Sequence, residues 1–237
     1  MTRQELIHRV KVKLEELSPY GYEAPLIAVY EDSELTENIN KEIKPIISYI
    51  AECLTESCNT ILSILPLHLI KPKEFEVKKR DKVDIISRAY SYTGGRGYFA
   101  YKLEMPSDFL RLHSFKFKDW EKVVQKTISP ESPLYVYECN DCTMGKPTRP
   151  VCIVERGYDN VTILTTNSTS LSDHLTPLQD LIDIRNYVAR FDDTDIQDSL
   201  TDFFVLQTAI DVCKILGLTM REQLEEELKV LIQSNQY

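Results

Sequence analysis

No run of about 20 consecutive apolar residues occurs in this chain of 237 residues, which excludes a membrane-spanning helix. The first residues are polar and patterned as a helix, so no secretory signal peptide is expected. Positive charge is in deficit. Against 37 Asp and Glu stand 28 Lys and Arg, for a net charge of −9 and a pI near 5.1. A general nucleic-acid binder needs the opposite excess to neutralise phosphates. Glycine is scarce, at 7 residues, and three of them fall in Gly94-Gly95-Arg96-Gly97. That loop lacks the Gly-Lys-Ser/Thr ending and the following helix of a phosphate loop, and a β-hairpin turn fits it better.

The usual signatures of a reacting site are also missing. There is no Gly-x-Ser-x-Gly elbow and no His-Glu-x-x-His helix, and the histidines His8, His68, His113 and His174 are scattered. Six cysteines are present, at positions 53, 58, 139, 142, 152 and 213. Without a secretory signal they are expected as reduced thiols. Cys139-Asn140-Asp141-Cys142 has metal-ligand spacing, and Cys152 follows. A structural zinc needs a second close pair, which the sequence does not supply. Asp192, Asp193, Asp195 and Asp198 resemble a calcium loop, but the glycine and the closing glutamate are absent, with Phe204 in the latter's place. Acidic residues before a helix are explained by its dipole. No catalytic residue, cofactor or metal ligand is expected.

What the chain does contain is a core. Hydrophobic residues make up 43% and charged residues 27%, the balance of an ordinary globular protein. A first helix is expected over Arg3–Leu17, with Leu6, Val10, Leu14 and Leu17 in one row and Thr2 and Glu5 at capping-box spacing. A second is expected from Thr36 to Leu65, either kinked by Pro45 or starting properly there, and stopped by Pro66. From about Phe75 the apolar period falls from near 3.6 to 2. Strands are expected over Val83–Tyr92, Tyr98–Met105, Leu110–Lys118, Tyr135–Cys139, Pro150–Val154, Asn160–Thr166 and Asp183–Ala189, and Asp119–Ile128 as strand or loop. Helical spacing then returns. Thr194 and Gln197 are placed to cap a helix carrying Leu200, Phe203, Phe204, Ile210 and Leu216, with Gly217 as its C-terminal cap. Thr219 and Glu222 are placed to open a last helix whose row is Leu224, Leu228 and Leu231.

Each helix has one apolar face to bury. The expected fold is therefore α+β. The N- and C-terminal helices form a helical bundle domain (1–70 and 192–237), and a central antiparallel β insertion forms the second domain (71–191). Charge is divided along the chain. From Lys71 to Lys126 there are 14 basic against 8 acidic residues, a net of +6; from Asp180 to Tyr237 there are 5 against 12, a net of −7. Such a division suits either two solvated faces or a heterologous contact between copies. Phe109, Phe115, Phe117 and Trp120 cluster in sequence and suit either a core or an interface. Asp108 and Arg111 are placed to pair with each other or across subunits.

Several segments, in order, resemble the head-to-tail connector (adaptor) proteins of short-tailed bacteriophages. They are Ile61–Ile70 as a helix end with proline, Met105-Pro-Ser-Asp-Phe-Leu-Arg-Leu112, Arg149-Pro150-Val151, Tyr187-Val188, and Ile215-Leu216-Gly217. The low glycine count and Lys/Ile/Tyr-rich composition also resemble ring proteins of crAss-like phages. The chain departs from the pattern in having Met105 where leucine is usual, and in the Cys139–Gly145 loop. The resemblance implies a non-enzymatic virion protein, assembled in the host bacterial cytoplasm. It would form a homo-oligomeric ring, commonly of twelve copies, in the neck between portal protein and tail. Double-stranded DNA would pass through without specific binding, and other tail or ring proteins would be neighbours. On this reading Phe109, Arg111 and Trp120 are expected at the subunit interface, and Leu224, Leu228 and Leu231 at the portal, where Leu228→Asp would block docking and leave the subunit folded. The rival readings are a non-catalytic scaffolding or regulatory protein of the infected cell, and a metal-assisted hydrolase built on Asp192–Asp202.

Overall fold

The computed structural model describes residues 1–17, 46–77, 81–84, 99–138, 145, 148–157, 161–165 and 178–235. Its helices and antiparallel and mixed sheets make the protein α+β. The chain divides into two compact units, Met1–Lys71 with Arg190–Tyr237, and Pro72–Ala189 between them.

The first unit is helical. Helix α1 (Arg3–Leu17) opens with the expected capping box: the Thr2 amide donates to Glu5 Oε2 at 2.7 Å and the Glu5 amide donates to Thr2 Oγ1 at 3.3 Å. Those two bonds satisfy amides that the helix itself leaves open. They also hold the Glu5 carboxyl below its usual range, the Thr2 backbone amide first and its hydroxyl second. Leu6, Val10 and Leu14 are buried. Helix α2 is described over Ile46–Ile64 and buries Ile50, Leu54, Cys58 and Ile61. The Thr36–Pro45 part of the expected helix lies outside the described residues. Pro66 ends the helix, and a 3-10 turn follows at Leu67–Leu69.

The two C-terminal helices of this unit, which are numbered after the two short helices of the other, are α5 (Thr201–Leu216) and α6 (Arg221–Ser234). Helix α5 is buried on most of its circumference and touches α1, α2 and α6. Its expected cap does not form. A 3-10 turn (Asp198–Leu200) precedes the helix, and Gln197 instead accepts the Lys71 amide at 3.1 Å. The Thr194 amide turns back to Asp192 Oδ1 at 3.0 Å. A side chain with a distant partner is not free to cap its neighbours. Helix α6 opens after Met220, where Thr219 and Glu222 were placed to start it, and has no side-chain cap. Gly217 ends α5 in the left-handed conformation, at φ 65°, where a side chain would be strained.

Polar contacts set the register of these helices. The Ser57 hydroxyl donates to Asp211 Oδ2 at 2.8 Å, joined by Gln207 Nε2 at 3.0 Å, while Lys214 Nζ lies 3.1 Å from Oδ1. Lys13 and Glu227 tie α1 to α6 at 2.7 Å. The Phe191 amide donates to Asn59 Oδ1 at 2.8 Å, and the Phe191 and Phe204 rings meet edge to face.

The second unit holds two sheets. Strands β1 (Lys73–Glu74), β8 (Ile182–Ala189) and β4 (Phe109–Phe117) form one, in that order. Strands β2 (Asp81–Asp84), β3 (Phe99–Glu104), β7 (Val161–Thr165), β6 (Cys152–Arg156) and β5 (Thr127–Ile128) form the other, in that order. The pairs are antiparallel except β5–β6, which is parallel, so the insertion is mixed and not wholly antiparallel. The strands expected over Pro150–Val154 and Asn160–Thr166 pair as β6 and β7, with Ile153 opposite Leu164 and Val154 opposite Ile163. The expected Tyr135–Cys139 strand is instead a short helix, α3 (Pro133–Glu138). Pro133 presets the first turn and Ser132 Oγ accepts the Leu134 amide at 3.3 Å, a local start signal that outweighs the β-formers Tyr135, Val136 and Tyr137. Helix α4 (Leu178–Leu181) leads directly into β8. The Gly94–Gly97 turn and most of Val83–Tyr92 lie outside the described residues.

An aromatic core fills this unit. Phe75, Phe109, Phe115, Phe117, Trp120 and Tyr187 are buried with Leu103, Met105, Leu112 and Ile163. Trp120 meets Phe115 and Phe117 edge to face, with centroids 5.6 and 5.1 Å apart, the arrangement that ring quadrupoles favour. Trp120→Ala is expected to destabilise the protein by about 3–5 kcal/mol, measured as the shift in chemical-denaturation midpoint followed by circular dichroism.

Candidate functional site

The stretch Met105–Leu112 enters and begins strand β4, and its side chains are used inward. Phe109 is 1% exposed and stacks on Tyr187 at 6.0 Å. Trp120 is 2% exposed. Both were expected at a subunit interface; both are core residues, because neighbouring strands already cover them. Arg111 is half-buried opposite Val188, and burial lowers its pKa. Asp108 takes the Tyr187 hydroxyl at 2.9 Å and lies 3.5 Å from Lys73 Nζ, so its partners are on β8 and β1. Burial first, and this hydrogen bond second, push the Tyr187 phenol up to about 12.

The C-terminal leucine row is used inward as well. Leu224 is 0% and Leu228 7% exposed, and Leu231 is partly exposed. The surface expected to meet the portal is in large part the seam between α6 and α5. Beside it runs a groove of about 350 Å³ lined by Ile210, Leu228 and Ile232, with Lys214, Glu225 and Lys229 at its rim.

The candidates for chemistry fall in places that account for them structurally. Asp193 holds Arg3 at 2.7 Å, and Asp198 faces the Met1 ammonium at 3.3 Å. Arg3 also donates to the Ala51 carbonyl at 2.9 Å. The acidic run thus fastens the turn before α5 to the start of α1, and among the described residues no group of His, Cys, Asp and Glu is arranged to hold a metal ion. Cys58 and Cys152 are buried, and burial raises both thiols. Cys213 is pushed up to about 11 by burial, and Cys53 is raised for the same reason. Thiols held protonated are poor nucleophiles. Cys139 and Cys142 lie outside the described residues, as does His174. His68 Nε2 lies 2.9 Å from the Asn235 carbonyl, and His113 Nδ1 lies 3.1 Å from Ser114 Oγ.

A hollow of about 770 Å³ beside β6 is lined by Lys102, Glu131, Glu155, Arg156 and Thr162. Its charges are balanced, and three of the four are committed: Lys102 pairs with Glu155 at 3.7 Å and Arg156 donates to the Leu110 carbonyl at 3.1 Å.

The sequence pattern missed the Asp108–Tyr187 bond and the Asp211 junction. Both join residues far apart in the chain, and neither has a periodic signal. The segment Asp119–Ile128, expected as strand or loop, is a loop that runs into the short strand β5. Trp120 and Val124 are buried there, and Val124 exchanges backbone hydrogen bonds with Phe115, both at 2.9 Å. The residues between them therefore point outward. No protein-family model, curated protein or solved structure matches this chain.

Two expectations follow. Leu228→Asp places an unpaired charge in the α5–α6 seam, and is expected to destabilise the protein by about 3 kcal/mol or more, read by thermal and chemical denaturation. Tyr187 deprotonates later in the folded than in the unfolded chain, so its contribution to stability is complete below the unfolded value and lost as pH rises through about 12. A phenolate absorbance titration is expected to show a late-titrating tyrosine that disappears in Tyr187→Phe.

Proposed function

We propose that this chain is a structural, non-catalytic component of a bacteriophage neck. Subunits assemble into a closed ring, commonly of twelve copies, between portal and tail, and the ring extends the channel through which DNA passes. The observation that carries the reading is a meeting of two of the sequence pieces that resemble connector proteins. In the antiparallel β4–β8 pair, Leu112 of the first piece stands opposite Tyr187 of the second, and Arg111 opposite Val188. Asp108 accepts the Tyr187 hydroxyl across the same pair. Residues separated by over 70 positions thus pack as one unit, which is how a structural protein uses such residues. The Gly217 cap supports another piece, Ile215-Leu216-Gly217, as a helix ending.

The reading is also supported by where the acidic and nucleophilic groups sit. Asp193 and Asp198 are matched by cations of the chain itself, and the described cysteines are held as thiols. The metal-assisted hydrolase built on Asp192–Asp202 therefore has little support. Negative net charge suits a passage for DNA, because a repelling wall does not retain phosphates. The work of such a protein is geometric: rigid units stack side by side around an axis and hold a bore open.

The test is to locate the chain in purified particles of the phage that encodes it. Peptide mass mapping is expected to find it at a fixed multiple per particle, and imaging of the neck to place a ring there. A chain abundant in infected cells and missing from particles would overturn the proposal in favour of a scaffolding or regulatory role.

A further inference from the structure

The negative charge of the chain belongs almost wholly to one unit. Residues 1–71 and 190–237 carry 11 basic and 21 acidic residues, a net of −10, whereas residues 72–189 carry 17 and 16, a net of +1. Within the second unit, three lysines on strands are matched: Lys73 with Asp108, Lys102 with Glu155 and Lys116 with Asp183. The loop after β4 is different. Lys118, Lys122 and Lys126 are all exposed, and none enters an ion pair or side-chain hydrogen bond among the described residues. Glu121 is exposed beside them and Asp119 is half-buried, so cations lead on this surface.

This loop is rigid in a specific way. Trp120 is wedged between Phe115 and Phe117, and Val124 is bonded to the Phe115 backbone on both sides. The two anchors hold Lys122 and Val123 outward, and Val123 is 41% exposed. A preorganised surface loses little entropy on binding, and a solvated lysine has no need of such support.

The acidic unit offers a matching surface. On α6, Glu222, Glu226 and Val230 recur every four residues, so they share one helix face. All three are exposed, Val230 at 54%. The face lies away from the buried Leu224 and Leu228. Glu222 has no ion-pair partner among the described residues, and Glu226 has only a 3.6 Å contact with the exposed Lys229. An apolar side chain with acids on its N-terminal side thus complements an apolar side chain flanked by lysines.

From this complementarity we infer that the Lys118–Lys126 loop of one copy docks on the Glu222–Glu226–Val230 face of α6 in a second copy. Lys122 and Lys126 meet the two carboxylates, and Val123 and Val230 meet at the centre. The two surfaces are different patches of one chain, so the contact is heterologous and can propagate around a ring. The inference rests on the ring reading for closure, and it supplies that ring with its subunit contact.

The test uses the purified full chain in sedimentation velocity over a concentration series. The unaltered chain is expected to self-associate, and the association to fade in about 1 M salt, where the Debye length is about 3 Å. Lys122→Glu with Lys126→Glu is expected to weaken association about tenfold or more, as is Glu222→Lys with Glu226→Lys. An equimolar mixture of the two reversed chains is expected to recover it, since each restores the other's contact. Circular dichroism checks that both remain folded; the neutral pairs Lys122→Gln/Lys126→Gln and Glu222→Gln/Glu226→Gln replace any that do not, each expected to weaken association. A chain monomeric at every concentration, reversals without effect, or a mixture that fails to recover would each overturn the contact. So would lysine reversals that alter retention on duplex DNA and leave association unchanged. Because this measurement needs no particle, its failure is separable from absence of the chain from the neck.

Discussion

The helical unit depends on the burial of α5. This helix carries Phe203, Phe204, Val205, Leu206, Ala209, Ile210, Val212 and Cys213 around most of its circumference, and no single neighbour can cover so wide an apolar surface. Three helices cover it between them, α1 and α2 from the beginning of the chain and α6 from its end. Each of these has a narrow apolar row of its own, which finds its cover on α5 in return. The polar groups at the seams then choose among possible alignments. Asp211 has one alignment in which Ser57, Gln207 and Lys214 all reach it, and a helix slid by one turn would leave the buried Ser57 hydroxyl without that partner.

The β unit is organised differently. Its aromatic side chains come mainly from β4 and the segment after it, and β8 closes over them with Tyr187. The register of β4 against β8 shifts at three places. The two shifts that place an extra residue on β4 let Phe109, Leu112 and Phe115, each three residues apart, be buried together despite the strict alternation of a regular pleat. Phe115 and Phe117, two residues apart, share a face by ordinary alternation and are buried together with Trp120.

Periodicity carried the helices and most strands. Leu6, Val10 and Leu14, or Ile50, Leu54 and Ile61, announce a buried stripe because a helix repeats every 3.6 residues whatever its neighbours are. The capping box of α1 was equally legible, because both of its partners lie within four residues. The box at Thr194 has the same spacing and does not form, because Gln197 is drawn to the Lys71 amide, a partner that no local pattern reveals. The α3 segment was misread for the reverse reason: its side chains favour a strand, and a proline–serine start overrode them. Burial set the limit of what could be said about surfaces. Phe109, Trp120, Leu224 and Leu228 look alike in sequence whether they meet their own chain or another, since the same apolar chemistry serves a core and an interface. What distinguishes Lys118, Lys122 and Lys126 from Lys73, Lys102 and Lys116 is the lack of an ion-pair partner among the described residues, which composition does not record.

The helical unit is made from both ends of the chain, with the strands between them. During synthesis α1 and α2 leave the ribosome well before α5, so their leucine and isoleucine rows have nothing to close on while residues 72–189 are being made. The β unit, a single uninterrupted segment, can assemble its aromatic core in that interval. Its completion brings the chain at Ala189 back beside its own starting strand, through the β1–β8 pair, and so shortens the loop that α5 must close to reach its waiting partners.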